Sequence, residues 1–574
     1  MKKAKEIVSL LLVLAMVFSL AACSGQVGGG GSSANTPAPD TTDSGDGATD
    51  GVPAVADGIT MTTAPWYRGE MNVYQTEKTG FEKKDPDTVV IGSGNQIIGC
   101  DPLNSQDEYP WSHNVYESLI GRNTETGEPE PLLATEWGYD DEGNFHITLR
   151  ENVKFHDGTL LDAEDVIFTL KRNADNASSN INAACSKINF EKSYIEDDLH
   201  LVLVFDEPAS SFVAALQSGF AGILSKEFFD EHGEDYDFFE ADAGTGAYTV
   251  IETVSGISQR FERFDDYWGE APEFKYIECV LYKDYTTGCI DYINGDIDIL
   301  QSINNYDSVM RFFNGEIDST ICYQLPVNRG IVLYLATSDG PCADENIRKA
   351  IAHCIDYESL AYGVFQGPEL GTVGQSILLP GTQYAVDLGT YEYNPELAAE
   401  YLAAAGYDTE NRLSLKIETS DGANNQAACE MIQYYCAQIG IDVECIFEKS
   451  AAMTAASNAT EYEYDMIAYP MQYRSGHPAE ALAGRDAYGK EPGTYAYIKG
   501  IQSEELHNLM AEGETCLDDD RANEIYTEIQ QMFFDHVWTI PLTTSTSVIF
   551  CRDYLTGVTF PNGYGNLWKT IKTA

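Results

Sequence analysis

The run from Phe145 to Leu170 commits this chain to mixing strands with helices. Phe145-His-Ile-Thr-Leu-Arg150 alternates apolar and polar side chains, the two-residue period of a half-buried strand. Val153-Lys-Phe-His-Asp-Gly158 ends a second extended piece at a turn. A helix then opens. Asp162 can cap it, Glu164 and Asp165 place negative charge in its first turn, and Val166, Ile167 and Leu170 form its apolar side. The same grammar recurs along the chain. Asp87-Thr-Val-Val-Ile-Gly reads as a strand, and Asp140-Asp-Glu-Gly-Asn144 as a hairpin turn. Asp344 can cap a helix carrying Ile347, Ile351 and Ile355. Asn394-Pro395 opens another, which stops at Gly406, where a left-handed residue is expected. No repeat at a fixed period is evident. The fold class is α/β.

At roughly 100–200 residues per domain, 574 residues imply two to four domains. An aromatic content of 11%, including 35 Tyr and 24 Phe, marks a folded body rather than a disordered chain. The net charge of −57 repels phosphates, which excludes nucleic acid as a partner and argues against lying flat on an anionic membrane. It reads as solubility, with steering of cationic ligands as the alternative.

The N-terminus carries an export signal. Lys2, Lys3 and Lys5 precede an apolar stretch from Ile7 to Ala22, too short for a spanning helix, which ends Leu20-Ala-Ala-Cys23. Small residues directly before a cysteine resemble the bacterial lipobox. Residues 1–22 are then a lipoprotein signal peptide, and Cys23 is the lipidated new N-terminus. Residues 24–58 hold no aromatic residue, Lys or Arg, and form a tether reaching on the order of 30 Å. Residues 59–86, with Trp66, Tyr67 and Tyr74, extend the region 23–86 without a clear element pattern.

None of the 13 cysteines forms a C-x-x-C pair, so the usual zinc and thioredoxin spacings are missing. Several, such as Cys354 and Cys436, lie in apolar runs and read as small buried hydrophobes. So many thiols in a secreted chain suggest a reducing habitat. No H-E-x-x-H, G-x-S-x-G or phosphate loop is present, which argues against an enzyme. Asp518-Asp-Asp520 and Asp296-Ile-Asp298 lack calcium-loop spacing, and no metal site or cofactor is expected.

Several segments, in order from about Asp87 to the end, resemble the extracellular solute-binding family of ABC importers that includes oligopeptide-, dipeptide- and nickel-binding proteins. They are Leu133-Ala-Thr-Glu-Trp137 through Phe145 to Phe168, Gly244-Thr-Gly-Ala-Tyr248, Asp266-Tyr-Trp-Gly269 and Gly295-Asp-Ile-Asp-Ile299. They continue with Ile347-Arg-Lys-Ala-Ile351, Asn394-Pro395 to Tyr407, Ile439-Gly-Ile-Asp-Val443 and Ile540-Pro-Leu542. The resemblance implies a two-lobe periplasmic-binding-protein-like clamshell with an additional domain inserted in lobe one. Lobe one would be 87–130, 231–325 and 538–574, the extra domain 131–230, and lobe two 326–537, with the two crossings between lobes as the hinge. It also implies a monomer anchored by lipid on the outer face of the cell membrane. There it would capture a peptide or similar small solute and deliver it to an ABC permease.

The resemblance places candidate ligand residues at strand ends. Peptide-binding relatives carry Trp and Asp after the strand matching Tyr462 to Tyr469. Here the loop reads Pro470-Met-Gln-Tyr-Arg-Ser-Gly-His-Pro478, with neither. Gln472, Tyr473, Arg474 and His477 stand there instead. A cation favours a carboxylate, another anionic group or a polar sugar, unless Arg474 pairs with a nearby surface acid. In Leu333-Tyr334-Leu-Ala-Thr337, Ala336 replaces the family's Asn. On lobe one, Asn95, Gln96, Tyr109 and Trp111 follow the first strand. Tyr109 and Trp111 are stacking candidates, with packing the equal alternative for Trp111. Oligosaccharide, nickel and peptide sensing without transport remain alternatives. Trp137, Phe155, Trp268 and Tyr407 read as packing residues.

Overall fold

The computed structural model describes residues 55–94, 99–104, 111–176, 179, 181–233, 236, 238–239, 241–338, 340–449, 464–472, 476–482, 485–489, 500–561 and 566–574. A mixed sheet of 13 strands organises them around two long antiparallel neighbours, Thr320–Leu335 and Thr539–Arg552. Each of these strands runs through both halves of the sheet. Thr320 to Pro326 pairs with Thr546 to Arg552, and Gly330 to Tyr334 pairs with Thr539 to Thr544, with the register shifting between Pro326 and Gly330.

Beyond the first half lie Ile299–Ile303, Thr88–Ser93 and Tyr276–Leu281, then the antiparallel Ser258–Arg263 and Tyr248–Val254. Beyond the second half lie Met466–Gln472, Leu413–Ser420 and Ile441–Glu448, with the last three mutually parallel. The β-branched, apolar Thr88–Ser93 is buried at nearly every position, as a strand flanked on both sides must be.

A separate four-stranded sheet, Ala134–Tyr139, Phe145–Leu149, His200–Leu203 and Tyr194–Asp197, packs with helix Ala163–Asp175 around its own core, which includes Phe145, Phe155, Val166 and Leu170. Asp162 caps that helix through a complete capping box with Asp165. Asp344 and Asn394 cap theirs, at Asn346 N and Leu397 N, and Gly406 takes φ +90°. Phe155 is fully buried. Trp137 and Trp268 are partly buried against this core, and Tyr407 against the large central one.

The segment 59–86, which showed no element pattern, contains a regular hairpin. Thr60–Trp66 pairs with Gly69–Gln75, and Asn72 to Gln75 pairs in turn with Gln324 to Ile321 of the long strand. The pattern was illegible because Thr60–Trp66 is mostly solvent-facing and is ordered by its neighbours, not by an apolar period. Ten of the twelve cysteines from Cys100 onward are buried and all are free thiols.

Candidate functional site

A cavity of about 460 Å³ opens where strands of the first half end and face helix ends on the other side. Gly94 follows Thr88–Ser93, Tyr282 and Lys283 follow Tyr276–Leu281, and Ser302 to Asn304 close Ile299–Ile303. Opposite them stand Gln366, at the end of helix Tyr357–Phe365, and Asn424, in the first turn of helix Ala423–Ile439. The crossing strands supply Arg329 and Ser545 to Ser547 as a floor. Carboxyl ends of parallel strands are where α/β folds place ligands.

The lining is polar and the backbone is shaped for it. Ser302 and Gln366 hold φ of +58° and +66°, a region costly for residues with a Cβ, and they come from opposite sides of the cavity. The Gly94 N–H donates to the Tyr285 hydroxyl at 3.1 Å, and a Cβ on Gly94 would lie 2.5 Å from that oxygen, so any larger residue must push the Tyr285 ring aside. The Ser547 hydroxyl is buried without a hydrogen-bond partner, as is Oε2 of Glu369 just behind the lining. Lys283 and Arg329 are cationic, and the described lining contains no carboxylate, which is unusual in a chain with 91 acids.

A second space of about 300 Å³ lies among Tyr67, Arg122, Ser210, Gln217, Gly381 to Gln383 and Gly476. Beside it the segment that holds the separate four-stranded sheet touches the helix Glu504–Thr515. Ser210 Oγ donates to the Gly513 carbonyl at 2.8 Å, and Lys187 lies 3.3 Å from the Glu514 carboxylate.

Asn95, Gln96, Tyr109, Tyr473 and Arg474 lie outside the described residues, as does the Gln472 side chain; the Gln472 backbone pairs with Arg329. Trp111 is 1% exposed and packs edge-on against Tyr116 in a core shared with Val89 and Ile91, so packing rather than stacking on a solute is what the structure shows. Tyr334 is buried too, accepting from Arg485 Nη2 at 3.0 Å. His477 is 2% exposed. Burial, then the Lys187 charge, pushes its pKa down to about 3, and its Nδ1 accepts from Ala479 N–H. It is a neutral packing imidazole against Tyr526. These three are closed off because they point into cores from strand and loop positions that sequence order alone cannot orient. Tyr282, Tyr306, Gln366 and Asn424 were missed; the available signal was their place just beyond strand and helix ends.

Strand-end cavities between two sheet halves joined by two crossings define a solute-binding clamshell. Residues 128–489 match the model of the middle region of bacterial extracellular solute-binding proteins, family 5, and the chain belongs to that family. The nickel-binding periplasmic protein of Escherichia coli K12 is 27% identical over 358 residues, 59% of this chain and 67% of that one. The dipeptide-binding protein of the same organism is 25% identical over 359 residues, 58% of this chain and 66% of that one. Among solved structures, the ABC transporter substrate-binding protein CtaP of Listeria monocytogenes superposes with a TM-score of 0.72 at 19% identity, covering 85% of this chain and all of that one. DppA of Helicobacter pylori, in complex with the peptide STSA, gives 0.69 at 20% identity, covering 85% and 98%. The chain serves as the substrate-binding component of an ABC transporter, taking a small solute to a membrane permease. Members of its family are extracellular or periplasmic. Among the described residues no helix is long and apolar enough to cross a membrane.

Proposed function

We propose that this chain binds a short peptide or similar small solute in the 460 Å³ cavity, between a lobe one of 87–130, 231–325 and 538–574 and a lobe two of 326–537. The observation that carries the reading is the lining itself. Amide and hydroxyl groups from both sides, Asn304, Tyr306, Gln366 and Asn424, face one space of the size a few residues need. The dipeptide-binding relative agrees with it. A ligand touching both lobes only when they close shifts the population to the closed form. A bare metal ion is disfavoured, because the described lining offers no His, Cys, Asp or Glu. The body is a monomer held to the outer face of the membrane by lipid on Cys23.

Native mass spectrometry of the mature chain, as purified and after unfolding and refolding, tests the ligand. A peptide released on unfolding supports the reading. A protein that stays empty with peptides but takes up sugars or metal sinks it. Tyr306→Ala and Asn424→Ala are expected to weaken peptide retention by about tenfold each. Metabolic labelling with palmitate tests the anchor; a mature chain without label, or label unaffected by Cys23→Ala, rejects it.

A further inference from the structure

The hairpin Thr60–Trp66/Gly69–Gln75 stands where the two lobes meet. Its second strand, Gly69–Gln75, fills, beside the first half of the long strand Thr320–Leu335, the place that Met466–Gln472 fills beside the second half. Its tip is fastened to lobe one. Trp66 Nε1 donates to the Phe560 carbonyl at 3.0 Å, and Tyr67 N–H donates to the Thr124 carbonyl at 3.1 Å. The next residue, Arg68, reaches lobe two. Its stem presses on Gly381 so closely that a Cβ added there would lie 1.9 Å from Arg68 Cγ.

Arg68 is 6% exposed, and its Nε and Nη1 have no hydrogen-bond partner. No carboxylate pairs with it among the described residues. Its guanidinium is covered by the rings of Tyr67 and Trp66, with centroids 4.8 and 5.5 Å away, which returns only part of the lost hydration. In a chain with 91 acids, an arginine buried without a counter-charge is out of place as a stabiliser.

We infer that Arg68 is a positioning residue that biases the empty protein toward the open state. The inference rests on the closure of two lobes described above. When lobe two swings away, Gly381 leaves the hairpin tip, and the guanidinium regains water. Closing strips that water and supplies no partner. The ligand must therefore overcome the Arg68 desolvation before capture, which keeps an empty clamshell from closing on itself. Removing one unmade charged hydrogen bond changes such an equilibrium by roughly tenfold.

The test is small-angle X-ray scattering of the full-length chain without ligand, which needs no knowledge of the ligand. Arg68→Met keeps the stem and removes the charge. The expected result is a smaller radius of gyration than wild type and about tenfold tighter retention of a synthetic pool of di- to tetrapeptides. A structural role alone would lower the melting temperature without contracting the particle. Arg68→Leu, which also removes the charge, is expected to contract the particle likewise, and it stands as the check should Arg68→Met fold poorly. An Arg68→Met or Arg68→Leu particle that folds and is unchanged or enlarged overturns the inference. A wild type that retains none of the pool overturns the peptide reading instead, while the ligand-free radii still decide the role of Arg68.

Discussion

His156 and Asp242 form a buried pair in which imidazole Nδ1 meets the carboxylate while Nε2 donates to the Gly246 carbonyl at 2.8 Å. With acceptors on both nitrogens the ring is a cation. Burial alone would lower its pKa, but the Asp242 charge and hydrogen bond, with the Gly246 carbonyl, hold it above the ordinary value. Burial would raise Asp242, yet His156 and the N–H groups of Val250 and Gly244 hold it below the usual range. Replacing His156 with Ala leaves a buried carboxylate without a counter-charge. The expected loss is roughly 3–5 kcal/mol, read from the denaturant midpoint.

The pH dependence follows from the same pair and from Asp165. A raised histidine stabilises the fold fully below its unfolded value near 6.5, and that stability is lost as pH rises through the folded value. Asp242, held low, stabilises above the unfolded carboxyl range of about 4, and that stability is lost only on further acidification. Burial lifts Asp165 to about 7, so the folded state favours its neutral form, and stability declines as pH climbs from about 4 to about 7. The melting temperature should therefore fall from mildly acidic to alkaline solution. Asp165→Asn should flatten the part of that slope below pH 7; an unchanged slope would exclude Asp165 as its source.

Glu117 is 2% exposed and accepts from Tyr267 and from Trp268 Nε1 at 2.6 Å each, with Lys569 at 3.1 Å. It ties the segment just before strand Ile120–Arg122 to the loop at 266–269 and to Lys569. Glu117→Gln keeps the shape but leaves Lys569 without its counter-charge. A loss of about 2–3 kcal/mol is expected, together with a shift in Trp268 fluorescence.

Cysteine chemistry should divide sharply. Cys445 and Cys516 are half-buried and the other ten described cysteines are buried. Brief alkylation of the native protein should modify Cys445 and Cys516 alone, and unfolding should expose the rest, including Cys354 and Cys436 with sulfurs 3.8 Å apart. Rapid native labelling of Cys354 would contradict the packing around it.

Gly94→Ala should disturb the cavity more than the fold. Its Cβ would displace the Tyr285 hydroxyl, so peptide retention should drop several-fold, with the melting temperature nearly unchanged. Tyr285→Phe in the same chain should restore part of the loss by removing the oxygen that clashes.

Local chemistry was legible where caps and periods agree. Asp162, Asp344 and Asn394 cap the helices their neighbours announce, and Phe145–Leu149 takes the strand its alternation predicts. The cavity was less legible. Strand ends pointed to the right region, but Trp111, Tyr334 and His477 turn into cores, a matter of which way a loop residue faces. Gln366 and Asn424 carry no motif; they matter only because two helix ends separated in sequence come together on one side of the space. The hairpin Thr60–Gln75 escaped notice because its order comes from a strand some 250 residues later.

The placement of Thr539–Arg552 between Ile299–Ile303 and Thr320–Leu335 governs how the molecule can be made. Until that late segment has emerged, neither half of the large sheet is complete, and each half exposes unpaired edges. Assembly must therefore wait on strand partners far apart in the chain, a slow route that exposes apolar edges to other chains.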